Sequence, residues 1–270
     1  MRSRWAAVAA VVALLACHFP TLHGMAAQWW NDEDMGHGFL VPLVVAWVVW
    51  NERGRWRAVP VRPSWWGIPL LLAAAALHFA AVLGVGLFAA SVALWLSAAG
   101  AIVCLAGFGR LRARAFPLLL SLFMLPKLAF VYNLVTLPLQ LLASRMAAAL
   151  LAAIGIGVIR EGNILAVGAH RVAVAEACSG IRYLLPLGFM AVVLAYVIDP
   201  KPWMRVALLA LAVPLAIAAN ALRVAASAAI PALDSGTPHA AMGAVIFLLC
   251  LAVLAAARQL IHAVGARHHA

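Results

Sequence analysis

Charge is scarce in this sequence, and negative charge is scarcest. Of 270 residues, 8 are Asp or Glu and 19 are Lys or Arg, and charged residues make up 10% of the chain. Hydrophobic residues make up 67%, where a soluble domain of this length is nearer about half apolar. An ordinary soluble domain is thereby excluded. Cysteine is also sparse. Cys17, Cys104 and Cys250 lie inside apolar blocks, Cys178 stands at a boundary, and no two share a metal-type spacing. That pattern predicts neither a disulfide nor a zinc site, and nothing else in the sequence calls for a metal or cofactor. No internal repeat or low-complexity tract is visible, and no soluble module separates from the rest. Residues 1–270 therefore read as a single integral membrane domain.

The apolar residues fall in blocks of about 18–22, the length that crosses ~30 Å of hydrocarbon as a helix. The fold class expected is an all-α polytopic membrane protein. Eight spans are expected, at 5–23, 38–50, 65–83, 87–108, 116–133, 181–198, 206–226 and 241–258. The first block follows "MRSR" and resembles a signal peptide, but the spans after it favour an uncleaved helix. The segment 134–156 carries Pro138, Gln140, Ser144 and Arg145. Those residues suit a helix lying on or dipping into the membrane better than a ninth span.

The net charge of +11 reads as topology rather than as a nucleic-acid surface. The basic residues sit in short loops, with no single basic soluble face. Eight spans place 13 of the 19 on one side, from Arg2 and Arg4 through the 53–62 and 110–114 loops to Arg267. That side, with both termini, is expected to be cytoplasmic. The other side holds six of the eight carboxylates, including the acidic loop at Asp32–Asp34, which reads as a solvated surface. Its largest piece is 157–177, where "HRVAVAEA" alternates and "EGN" offers a turn. A small extracytoplasmic β-hairpin before the sixth span is expected there.

That hairpin delivers Cys178 to the start of the sixth span, between Glu176 and Arg182. A helix N-terminus favours a thiolate; the alternative is a buried, unreactive thiol. Asn220 and Arg223 are three residues apart in the seventh span, on one helix face. A membrane arginine suggests function unless it snorkels to the headgroups. Thr237 and Pro238 look like the cap and first residue of the eighth span, with His239 next. Alone, such a histidine is more often incidental. Together, three consecutive spans bring a thiol, a guanidinium and an imidazole to one depth. Nucleophile, oxyanion stabiliser and base are the minimum for thiol acyl transfer.

Several elements occur in a recognisable order: Trp30 with "HGFLVP" at 37–42, "ACSGIR" at 177–182, "PLAIAANALRV" at 214–224, and His239, Gly243 and Phe247. In this combination the chain resembles the exosortase branch of the exosortase/archaeosortase family of membrane transpeptidases, from about residue 25 to 258. The resemblance implies Cys178, Arg223 and His239 as the catalytic residues. It implies membrane-anchored protein substrates with a C-terminal Pro-Glu-Pro motif, a membrane helix and a basic end. They are cleaved near the motif and joined to a cell-surface acceptor, in systems that often accompany exopolysaccharide synthesis. It implies a bacterial inner membrane, with the site at the periplasmic face. Arg182 and Arg160 are candidates to bind the acidic residue of the motif. Asn220 is a candidate to hold Arg223, and Glu176 and His37 are candidates to line the site. The alternative is a transporter or flippase for a lipid-linked glycan, using the same residues as a polar path. Inverted repeats and broken midplane helices would mark a transporter, and the sequence has neither.

Overall fold

A computed structural model describes residues 2–32, 34–174, 180–198 and 202–267. The chain divides into two compact units, residues 1–128 and 129–270. Both are built mostly of helices.

Unit 1 begins with α1 (Arg2–Cys17) and α2 (Phe19–Asn31), which meet at a 64° bend. Pro20 sits in the first turn of α2, where its missing N–H costs no helical bond. A 3-10 turn (Gly36–Phe39) leads into α3 (Leu40–Asn51) and the short basic α4 (Arg53–Ala58). α5 (Gly67–Ala80) and α6 (Leu87–Ala106) pair along their length. Small residues line their buried side (Ala74, Ala89, Ala90, Ala93, Ala99), while Leu72, Phe79 and Val82 stay exposed. Small side chains inward and large ones outward is the pattern of helices packed together in lipid. α7 (Phe108–Ala113), α8 (Ala115–Leu120) and a second 3-10 turn (Ser121–Met124) complete the unit.

Unit 2 begins with α9 (Ala129–Ala153), followed by a three-stranded antiparallel sheet in the order β1 (Ile159–Glu161), β2 (Ile164–Val167) and β3 (His170–Ala173). The expected turn at "EGN" is present, with Gly162 at φ +63°. A second turn at Gly168 adds a strand beyond the expected hairpin. Leu165 and Val172 are cross-strand partners and therefore face the same way. Their side of the sheet is buried against Ala143, Ala147 and Leu151 of α9 and against Val224, Ala225 and Ala228 of α11 (Pro202–Ala229). α10 (Ile181–Ile198) and α12 (Gly236–Arg267) pack on α11 through Tyr183, Leu187 and Ala191, and through Ile246, Cys250 and Leu254. Both sets recur every four residues, and α11 meets them with Ala212, Ala216 and Ala219.

Five described helices are long and apolar enough to cross a membrane: Gly67–Val85, Leu87–Ala106, Ala129–Ala153, Trp203–Ala229 and Gly236–Leu260; the bent α1–α2 pair makes a sixth. Gly36–Asn51, Ala115–Met124 and Ile181–Val197 are shorter. The expected boundary between a span at 116–133 and a surface segment at 134–156 falls elsewhere. The helical run stops at Met124, because Pro126 disfavours helical geometry at Leu125 (ψ 143°). The following helix then runs unbroken through Pro138 to Ala153. Gln140 and Ser144, which suggested a membrane surface, are buried. The Ser144 hydroxyl donates toward the Gly162 carbonyl at the sheet's first turn, 3.0 Å away.

The acidic loop is likewise not a solvated surface. Asp32 and Asp34 both pair with Lys127, at 2.7 and 2.9 Å, and Asp34 is buried. Replacing Lys127 by Met removes a charged partner of the buried Asp34 carboxylate, which costs about 2 kcal/mol. We expect Lys127→Met to lower the unfolding temperature in detergent and Lys127→Arg to restore most of it. Equal melting of Lys127→Met and the parent would show that the pairs contribute nothing.

Candidate active site

The polar residues of α11 form one stripe. Asn220, Arg223 and Ser227 follow at intervals of three and four, so they share a face, and all three are buried. Arg223 is only 2% exposed and is the largest fully buried side chain described. The helix continues past Pro214 and carries this face up to the 3-10 turn Pro231–Leu233. The chain then reverses into α12, which starts at Gly236, one residue before the expected cap Thr237. The reversal brings His239, half-buried, back over α11.

Arg223 Nη2 and His239 Nε2 are 2.5 Å apart. A guanidinium has donors only, so Nε2 presents its lone pair and the ring proton sits on Nδ1. Nδ1–H donates to the Leu233 carbonyl, 2.8 Å away. The Ser227 hydroxyl donates to the same carbonyl at 3.1 Å and lies 3.4 Å from Nδ1. One carbonyl and one hydroxyl thus fix the tautomer, leaving the basic nitrogen turned to Arg223.

The guanidinium also lies 5.5 Å from the centre of the Tyr183 ring on α10. The Tyr183 hydroxyl donates to the Gly243 carbonyl on α12, 3.4 Å away. A Cβ at Gly243 would stand 3.1 Å from that hydroxyl and 3.7 Å from the guanidinium, so the bare backbone is what lets Arg223 and Tyr183 close up against α12. Among the described residues no carboxylate pairs with Arg223, and its Nε has no hydrogen-bond partner. Among the described residues, a π face and a neutral imidazole are what offset the desolvation cost of this arginine.

Of the residues expected at the site, Arg223 and His239 are joined directly. Asn220 lies under Gly180, where a Cβ would fall 3.3 Å from the Asn220 side chain; Gly180, at φ +95°, opens α10. Cys178 and Glu176 lie outside the described residues. Arg182 is half-buried on the first turn of α10. Arg160 is exposed on β1 and bonds the Gly162 carbonyl of its own turn at 2.8 Å. His37 belongs to unit 1, where Nε2–H donates to the Phe123 carbonyl, 3.1 Å away. Beside it, Gly38 is required by Trp29, whose ring would collide with a Cβ. The aromatic packed on this glycine is Trp29, and Trp30 is 81% exposed.

Ser227 and Tyr183 join the site without having been expected there. The signal for Ser227 is its position four residues after Arg223, on the same helix face. Tyr183 has no local signal, because its partners lie on two other helices.

Apolar helices of membrane-crossing length define a multi-pass membrane protein, and a buried arginine bonded to a histidine gives it a polar site. Residues 29–256 match the family Transmembrane exosortase (Exosortase_EpsH). The chain belongs to that family. No curated protein and no solved structure matches it.

Proposed function

We propose that this chain is a cysteine endopeptidase or transpeptidase in which Cys178 is the nucleophile, Arg223 the oxyanion stabiliser and His239 the proton carrier. Its substrates are membrane-anchored proteins ending in a Pro-Glu-Pro motif, a helix and a basic tail. The site works at the periplasmic face of a bacterial inner membrane. The observation that carries the proposal is Arg223: a buried cation, bonded to an imidazole and without a carboxylate partner among the described residues. Such a group is placed to receive negative charge that develops only during reaction. Gly180 supports the role of Cys178, since it follows the thiol by two residues and abuts Asn220 on the Arg223 face.

The Cys178 thiol gives its proton to His239 Nε2 while sulfur attacks the scissile carbonyl carbon. Arg223 receives the resulting oxyanion. The C–N bond breaks, Nε2–H protonates the leaving amine, and a thioester remains. An acceptor amine or water then attacks the thioester, surrendering a proton to Nε2 and releasing the thiol. The Arg223–His239 bond adds a condition, because a lone pair bound to guanidinium cannot take a proton. Substrate oxygen must draw Arg223 away before His239 acts as base, which couples base activation to occupancy of the site. Leu233 and Ser227 keep Nδ1–H fixed throughout. Arg182 and Arg160 are assigned to the substrate's acidic residue.

The test is modification by a membrane-impermeant thiol reagent, located by mass spectrometry. Cys178 should be labelled, and processing of a Pro-Glu-Pro substrate should fall in step with that labelling. Labelling of Cys178 without loss of processing would overturn the assignment.

A further inference from the structure

The end of unit 1 that carries α4 and α7 is built as a fixed cationic frame. The loop at 59–64 lies across the end of α6. Arg62 N–H donates to the Ala106 carbonyl at 3.1 Å, and Ser64 N–H to the Val103 carbonyl at 3.2 Å. Gly107 packs so tightly beneath this loop that a Cβ there would fall on the Arg62 carbonyl. Arg110 Nε donates to the Val59 carbonyl at 3.0 Å, and the Arg114 guanidinium sits 5.2 Å from the Trp56 ring centre. The loop and both short helices are therefore held to one another through backbone and side-chain contacts.

Negative charge is almost absent from these segments. Residues 40–66 and 87–128 contain one carboxylate, Glu52, and it pairs with Arg55 at 3.4 Å. Arg57, Arg62 and Arg112 are exposed and have no ion-pair partner among the described residues. Burial, with the adjacent Arg110 charge, pushes the Arg114 pKa below its ordinary value, as expected where positive charge is crowded and uncompensated. Next to the cluster Trp65 and Trp66 are exposed, as side chains at headgroup depth are. A cleft lined by Pro63, Ser64, Trp65, Ile68 and Cys104 opens beside them.

We propose that this frame binds an anionic phospholipid, with the headgroup phosphate on Arg57, Arg62 and Arg112 and an acyl chain along the cleft by Trp65 and Ile68. The charge places the ligand among anions, and the neighbouring apolar cleft and tryptophans select a lipid over a free ion. Loose loop arginines would attract an anionic surface diffusely. Here the backbone and side-chain contacts hold the segments that carry them, so the site discriminates by position.

The full-length protein in phosphatidylcholine nanodiscs, titrated with phosphatidylglycerol, reads the affinity by native mass spectrometry. Each basic residue near an anionic surface strengthens binding about fivefold, so Arg57→Gln/Arg112→Gln should weaken phosphatidylglycerol binding roughly thirtyfold. The control Arg145→Gln/Arg171→Gln removes the same charge from exposed positions in unit 2 and should change it little. Equal weakening by both pairs would mean that net charge alone is sensed, and the proposal would fall. It would also fall if phosphatidylglycerol showed no preference over phosphatidylcholine. A third arm adds inorganic phosphate to discs that contain phosphatidylglycerol; displacement of the lipid by phosphate at similar concentration would identify a free-anion site instead. None of these measurements depends on the enzymatic proposal.

Discussion

Cys178→Ala should leave a tagged Pro-Glu-Pro substrate at full length on a blot, with the variant still inserted in the membrane. The proposed mechanism passes every substrate through a thioester on Cys178, which alone among the four cysteines stands at a boundary of the sequence's apolar blocks. Cys17, Cys104 and Cys250 lie in helices or their packing. Removing the nucleophile from an acyl-transfer site costs on the order of 10⁶ in rate, below detection in a cellular assay. Cys178→Ser should also be inactive for practical purposes, because a hydroxyl without strong activation is a far poorer nucleophile than a thiolate. Processing that continues at the parent rate in Cys178→Ala would eliminate thiol chemistry and return attention to a polar transport path.

Arg223→Gln tests the other half of the site and should separate activity from stability. Loss of an oxyanion donor lowers turnover by about 10²–10³. A side chain retained for structure would lower the melting temperature when replaced. Arg223 is instead a buried cation without a carboxylate partner among the described residues. Replacing it by a neutral side chain of similar length removes the desolvation cost of the buried charge. Turnover should therefore fall at least about a hundredfold while the unfolding temperature holds or rises. Arg223→Lys keeps the charge but loses the planar fork that spans His239 and the substrate oxygen, and should recover little. A variant that unfolds, or one that retains activity within about tenfold, would remove Arg223 from the oxyanion role.

One part of the site is legible in the order of residues and another is not. Asn220 and Arg223 are three residues apart, and helical periodicity alone puts them on one face. The same rule reaches Ser227. The bond between Arg223 and His239 depends on how α12 turns back after the short Pro231–Leu233 helix, and no periodicity encodes that angle. The tautomer of His239 depends on a backbone carbonyl, which every residue has, so its identity carries no signal. The clamp of Asp32 and Asp34 on Lys127 spans more than ninety residues. Nothing local announces it, because Lys127 falls inside an expected span and the acidic loop reads as solvated.

The sequence by itself determined the membrane class, the mostly helical fold with a small antiparallel β element, and the polar face of α11. These follow from composition and from periods of two and 3.6, which act over neighbouring residues. Tertiary structure alone decided that α9 runs unbroken through Pro138, that its Gln140 and Ser144 face inward, and that Tyr183, Gly243 and His239 close around Arg223. Each of these turns on which surface a helix finds opposite it, and burial is a property of the pair of surfaces rather than of either strand of sequence.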